Sequence, residues 1–245
     1  SGKVHALRLE QNGGYGMGNQ EGINYAVSCL EADYVIIANP DIHVPPRCIR
    51  RVKDALDKTQ GAVAASARVK DPMGGELFSY WTLLPLWKDL LDTGLVTRRL
   101  FKAMLNTPSY RLAYAGDEDC RLVDAVPGSF FMLKTGILTP GEIKEVFDKH
   151  IFLYYEEKVL GQKFRKMGLK TVLVTDESYV HAHSVSIDKS FKRIVDKQRL
   201  LHRSKLYYYK EYLGTGPAGM AAARAVLGLV LAEVWFLTVV CRMRW

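Results

Sequence analysis

The order of apolar and polar positions divides the chain into short blocks. Val4 to Leu9 alternates and predicts a strand. The Gly-rich turn NGGYGMGN follows, and Asn19 to Leu30 places Ile23, Ala26, Val27 and Leu30 at helical spacing. Tyr34 to Ala38 is wholly apolar and of strand length, the pattern of a central parallel strand. Pro45-Pro46 opens a second helix with Ile49, Val52 and Leu56 facing inward, and Gly61 to Val69 predicts the next strand. This β-α-β-α-β order predicts an α/β fold: an open, mostly parallel sheet flanked by helices.

The pattern then changes. Asp71 to Asp119 is rich in aromatic and basic residues and predicts an insertion with one or two helices. Arg121 to Lys134 returns to strand, broken at Pro127-Gly128. The segment from Ile151 starts extended and turns helical after Tyr155, and Lys170 to Thr175 predicts a further strand. From Val185 the chain becomes basic, tyrosine-rich and helical up to Gly214-Thr215-Gly216-Pro217. Ala225 to Cys241 is nearly all apolar, with Glu233 inside it and Arg224, Arg242 and Arg244 flanking it.

Composition narrows the class. The 245 residues are 48% hydrophobic and 24% charged, enough for one large globular domain or one and a half. The formal net charge of +8 suits phosphate-bearing substrates, an anionic membrane surface or nucleic acid, but no nucleic-acid-binding motif accompanies it. The cysteines Cys29, Cys48, Cys120 and Cys241 show no CxxC spacing, so neither a zinc site nor a disulfide framework is expected.

Four places carry candidate chemistry. The Gly-rich turn is either an anion- or ribose-binding loop or a tight turn that needs positive φ. It lacks the GK[ST] of a P-loop and the GxGxxG spacing of a dinucleotide fold. Asn39-Pro40-Asp41 ends an apolar strand where α/β sheets bind ligands, so Asp41 is either a metal-binding carboxylate or an ordinary proline-turn residue. Glu156 and Glu157 either favour a helix N-terminus or include a general base with a raised pKa. His181-Ala182-His183-Ser184 puts two histidines on one side of an extended chain, where they suit a metal or a diphosphate.

In this order the motifs resemble the family 2 glycosyltransferases of the GT-A fold, particularly the bacterial rhamnosyltransferase-like branch. The matching stretches are Asn12 to Ile23, Tyr34 to Asp41, Val126 to Met132, Phe152 to Glu157 and His181 to Ser186. The resemblance implies a metal-dependent, inverting transfer of a sugar such as rhamnose from a dTDP- or UDP-sugar to a glycan or lipid-linked acceptor. It implies a role in bacterial surface-polysaccharide synthesis. By resemblance Glu157, with Glu156 beside it, is the catalytic base. Asp41 and His181 hold Mg²⁺ or Mn²⁺, and His183 and Ser186 contact the diphosphate or the metal. Asn12, Gly14, Tyr15, Gly16, Gly18, Asn19, Asn39, Gly128 and Ser129 line the donor site.

Two departures from the family pattern stand out. Val159 occupies a position where many members carry a further acid. The family's first strand and nucleobase-binding acid, which lie well upstream of the Gly-rich block, have no counterpart here. The expected organisation is an N-terminally incomplete GT-A core over 1–187 and a basic, aromatic helical region with an apolar C-terminal helix over 188–245. A cytoplasmic location at the inner face of the plasma membrane follows, with peripheral membrane contact through the C-terminal region and no nucleic acid. The competing class is a non-catalytic GT-A-like scaffold or membrane-associated partner protein.

Overall fold

In the computed structural model the described residues are 4–105, 119–182 and 194–242. Helix α1 (Gly14–Leu30) leads to strand β1 (Tyr34–Ala38), short strand β2 (Ile42–His43), α2 (Pro46–Lys58) and β3 (Ala62–Lys70). The insertion supplies α3 (Leu86–Leu91) and α4 (Leu95–Leu100). Strands β4 (Cys120–Val123) and β5 (Phe130–Lys134), the short helix α5 (Pro140–Ile143), α6 (Glu156–Lys166) and β6 (Lys170–His181) follow. Helices α7 (Ile194–Glu211) and α8 (Pro217–Trp235) come last, and α8 runs on into a π-helical turn over Phe236–Val240.

The expected class is observed: a central sheet flanked by helices, with a helical C-terminal extension. The expected mostly parallel pairing is not. The six-stranded sheet has the order β1-β5-β3-β6-β2, with β4 also on β6, and among the described residues only β3 and β6 pair in parallel. Strand β5 inserts antiparallel between β1 and β3, so β1 and β3 share a direction without touching. A run such as FFMLK is apolar whichever way it is paired, so its direction is not written in the pattern.

Three further expectations are corrected. Strand β1 lies at an edge among the described residues and is only partly buried, with Ile36 exposed. Val4 to Leu9 is irregular and largely exposed, and among the described residues no strand pairs with it. Helix α1 starts at Gly14 rather than Asn19, so most of the Gly-rich turn is helix, and Leu30 faces solvent.

The two faces of the sheet carry separate cores. On one face Ala64, Leu133 and Leu173 pack against Ile23 of α1 and Leu160 and Phe164 of α6. On the other, Ala65, Met132 and Val172 pack against Cys48, Val52, Ala55 and Leu56 of α2. Alternation along the strands makes this division, and each large buried side chain contributes about 1.5–3 kcal/mol. A third cluster joins α3, α6, α7 and α8 through Leu90, Val159, Tyr208, Tyr209 and Leu227. Tyr208 and Tyr209 are fully buried, so these tyrosines of the basic helix are packed on the protein rather than presented to a surface.

Candidate active site at the sheet edge

Strands β1, β3 and β6 run the same way and β5 runs against them. The carboxyl ends of β1 and β6 therefore meet the amino end of β5 at one edge of the sheet. The pairing of Ala38 with Phe130 extends one step, with the Asn39 amide donating to the Ser129 carbonyl at 2.9 Å. Ile42 of β2 pairs with His181, and the Ala182 amide donates to the Asp41 carbonyl at 3.0 Å. This register brings Asp41 Oδ1 within 3.3 Å of His181 Nε2.

A cleft of about 520 Å³ opens at this edge. Its polar lining includes Asn39, Ser129, Glu156, Glu157 and His181, and its apolar walls include Phe78 and Trp81 from the insertion. The Tyr15 hydroxyl donates to the Gly128 carbonyl at 2.5 Å, and the Gly128 amide donates to Glu157 Oε1 at 3.3 Å. The Ser129 hydroxyl shares a hydrogen bond with the Tyr179 hydroxyl at 2.7 Å.

The two carboxylates stand at the start of α6. The first turn of a helix favours negative charge, and α6 ends in Lys163, Arg165 and Lys166, which complement its other pole. Burial works against ionisation. Glu156 is pushed up to about 8 by burial and then by the neighbouring Glu157. Its Oε1 is buried without a hydrogen-bond partner. Glu157 is also raised by burial, opposed by hydrogen bonds from backbone amides, that of Gly128 among them, and by the Lys158 charge. The pair thus splits into one acid held protonated near neutral pH and one whose carboxylate form is hydrogen-bonded.

The backbone leading to the pair is strained. Tyr154 and Tyr155 have φ of 70° and 75°, left-handed values that cost a non-glycine residue about 1–2 kcal/mol each. The expected extended entry is therefore a left-handed turn. Tyr155 is anchored by its hydroxyl, which donates to Asp89 Oδ2 at 2.5 Å. Asp89 also accepts from Lys158, from Tyr209 at 2.6 Å and from Lys205 at 3.0 Å. Burial pushes Asp89 up, but the ammonium groups of Lys205 and Lys158 and the hydrogen bonds outweigh it, and its carboxyl sits below the ordinary range. Burial lowers Lys205 to about 8 despite Asp89. No sequence signal marked this cluster, since Asp89, Lys158 and Lys205 lie on three helices far apart along the chain.

The residues of the Gly-rich stretch divide. Tyr15 reaches the cleft. Asn12 Oδ1 accepts from the Gly14 amide at 3.0 Å, and the Asn19 side chain donates to the Tyr15 carbonyl at 3.0 Å. Gly14 has φ of 88°, and a Cβ there would meet the Phe152 carbonyl oxygen at 2.0 Å, so this glycine docks α1 against the segment before α6. Gly16 faces Phe147, and a Cβ at Gly18 would meet no other atom within 4 Å. Asn12, Gly14, Gly16, Gly18 and Asn19 therefore do not line the cleft with Glu157. His183 and Ser186 lie outside the described residues.

Among the described residues no three His, Cys, Asp or Glu side chains gather as a metal cage. His181 lines the cleft with its imidazole, and Asp41, not itself in the lining, places one carboxylate oxygen beside that ring. That set fits a divalent cation that completes its shell with substrate phosphate and water.

No family model matches the sequence, and no curated protein matches it. Among solved structures, the chain is similar to a crystal structure of GalNAc-T7 with UDP, GalNAc and Mn2+, at 12% identity and a TM-score of 0.48. The match covers 96% of this chain and 45% of that one, so this chain spans less than half its length. At that identity and TM-score the likeness implies nothing about what this chain binds.

Proposed function

We propose that the protein is a GT-A-type, inverting glycosyltransferase that uses a nucleoside-diphosphate sugar. The observation that carries this reading is the adjacent Glu156 and Glu157, lining one cleft with Asn39, Ser129 and His181. An acceptor hydroxyl in the cleft gives its proton to the Glu157 carboxylate. Its oxygen forms the new bond at the anomeric carbon as the bond to the diphosphate breaks, with inversion and no covalent enzyme intermediate. Glu156, raised to about 8, keeps its proton near neutral pH, while backbone amides and the Lys158 charge favour the carboxylate form of Glu157. Asp41 and His181 would hold Mg²⁺ or Mn²⁺, which when bound supplies positive charge against the leaving diphosphate. Phe78 and Trp81 form an apolar wall suited to a sugar face.

The order of the motifs supports the finer reading: a deoxyhexose such as rhamnose from a dTDP- or UDP-sugar, a glycan or lipid-linked acceptor, and work at the cytoplasmic side of a bacterial plasma membrane. The test is release of nucleoside diphosphate from a panel of nucleotide sugars with Mn²⁺, with and without lipid-linked acceptor. Release is expected with at least one donor and is reduced by about 10²–10⁴ in Glu157→Gln. Background release with every donor, unchanged in Glu157→Gln, removes the enzymatic reading and leaves the scaffold.

A further inference from the structure

The apolar helix α8 has two unlike commitments. Met220, Ala223, Leu227, Val230 and Val234 form a stripe buried in the protein. The opposite face remains apolar and exposed, with Leu229 72% exposed and Trp235, Phe236, Val239 and Val240 each more than half exposed. A helix at the surface of a soluble protein normally turns a polar face outward.

Glu233 explains what lies beside this face. Its carboxylate accepts from the Leu95 amide and the Val96 amide, both at 3.1 Å, and so caps the start of α4. The one acid of α8 is thereby spent on a protein contact. The same bond fixes α4 alongside α8, and α4 with the turn after it adds exposed Val96, Leu100, Phe101 and Met104. Exposed Arg99 and Lys102 lie among these residues beside Arg98, which is ion-paired to Asp92 at 3.3 Å, and exposed Arg224 and Arg242 lie on or just beyond α8. Between Thr93 and Leu105 and between Pro217 and Arg242, Glu233 is the only carboxylate in the sequence.

We propose that α4 and the outward face of α8 form one composite surface that seats the protein on an anionic lipid bilayer. Clustered large apolar side chains enter the headgroup and acyl boundary while the arginines and Lys102 meet lipid phosphate. The run is long enough to span a bilayer, but its buried stripe and the Glu233 cap hold it against the domain, so it lies on the membrane. This surface specifies the membrane contact of the proposed enzyme, yet its test needs neither donor nor acceptor, so it fails or succeeds apart from the reaction.

The full chain is floated with vesicles of phosphatidylcholine alone, or of phosphatidylcholine and phosphatidylglycerol in equal amounts, at low and high salt. Binding to the anionic vesicles is expected, weakened by salt and at least about tenfold weaker on neutral ones. Leu100→Glu with Phe236→Glu, and separately Arg99→Glu with Lys102→Glu, each reduce anionic binding at least about tenfold, while Lys144→Glu, just after α5, does not. Melting curves confirm folding, and the basic pair tests the surface even if the apolar pair misfolds. Absence of the wild type from both vesicle fractions, or equal binding by all folded variants, overturns the proposal. So does a dimer in solution that fails to bind vesicles and that Leu100→Glu with Phe236→Glu dissociates.

Discussion

The backbone of Gly128 stands between Tyr15 and Glu157, accepting from one at 2.5 Å and donating to the other at 3.3 Å. Three distant stretches of chain, the start of α1, the turn before β5 and the start of α6, thus meet at one peptide. A Cβ at this position would lie 3.0 Å from the Tyr15 hydroxyl oxygen and 3.2 Å from Glu157 Oε1. Gly128→Ala is therefore expected to lower turnover at least about tenfold, because displacement of a reacting group by a fraction of an ångström is costly. Its melting temperature stays within a few degrees of wild type, since both neighbours are side-chain ends. Steady-state release of nucleoside diphosphate beside a melting curve checks this, and an unaltered rate contradicts it.

Glu156 predicts a pH-dependent stability. The folded protein keeps a proton on this acid up to about pH 8, whereas the unfolded chain releases it near the ordinary 4.5. In that window the folded state binds more protons, so this group lowers stability as pH rises. Glu156→Gln removes the effect. Above pH 8 the variant is expected to exceed wild type by on the order of a few kcal/mol, with the gap closing towards pH 4. Denaturant unfolding at a series of pH values measures it, and parallel curves would refute the assignment.

Asp89 is the counter-charge for two buried ammonium groups, those of Lys158 and Lys205. Asp89→Ala leaves both without it and releases Tyr155 from its left-handed turn. A loss of about 3–5 kcal/mol is expected from equilibrium unfolding. Asp89→Asn keeps hydrogen-bonding capacity but not charge, and should recover only part of it. A loss below about 1 kcal/mol in Asp89→Ala would show that the cluster does not hold α6 in place.

Helix α6 packs so closely on the turn before β5 that a Cβ at Gly161 would meet the Asp124 carbonyl oxygen at 2.4 Å. Helix propensity alone favours alanine there by about 1 kcal/mol. Steric displacement outweighs that preference, and Gly161→Ala is expected to destabilise by about 1–3 kcal/mol. Thermal unfolding decides between the two signs.

Much of this architecture can be read along the chain. Pro45-Pro46 before an amphipathic run marks α2, the alternating alanines and valines mark β3, and Glu156-Glu157 before a basic end marks α6. These signals are local: a fixed φ, a period, a helix dipole. The apolar run Tyr34 to Ala38 and the carboxylate that follows it were legible for the same reason.

Other features needed the fold. That β5 runs backwards between β1 and β3 depends on which strands find each other, and an apolar segment buries as well in either direction. The raised pKa of Glu156 comes from burial by remote segments, and Asp89, Lys158 and Lys205 meet only where three helices pack together. Glu233 looked like a flaw in an apolar helix, yet it caps α4. The sequence by itself determined the elements and the groups that carry charge. The tertiary structure decided which groups lose water and which partners replace it, because desolvation and pairing depend on neighbours brought together only by folding.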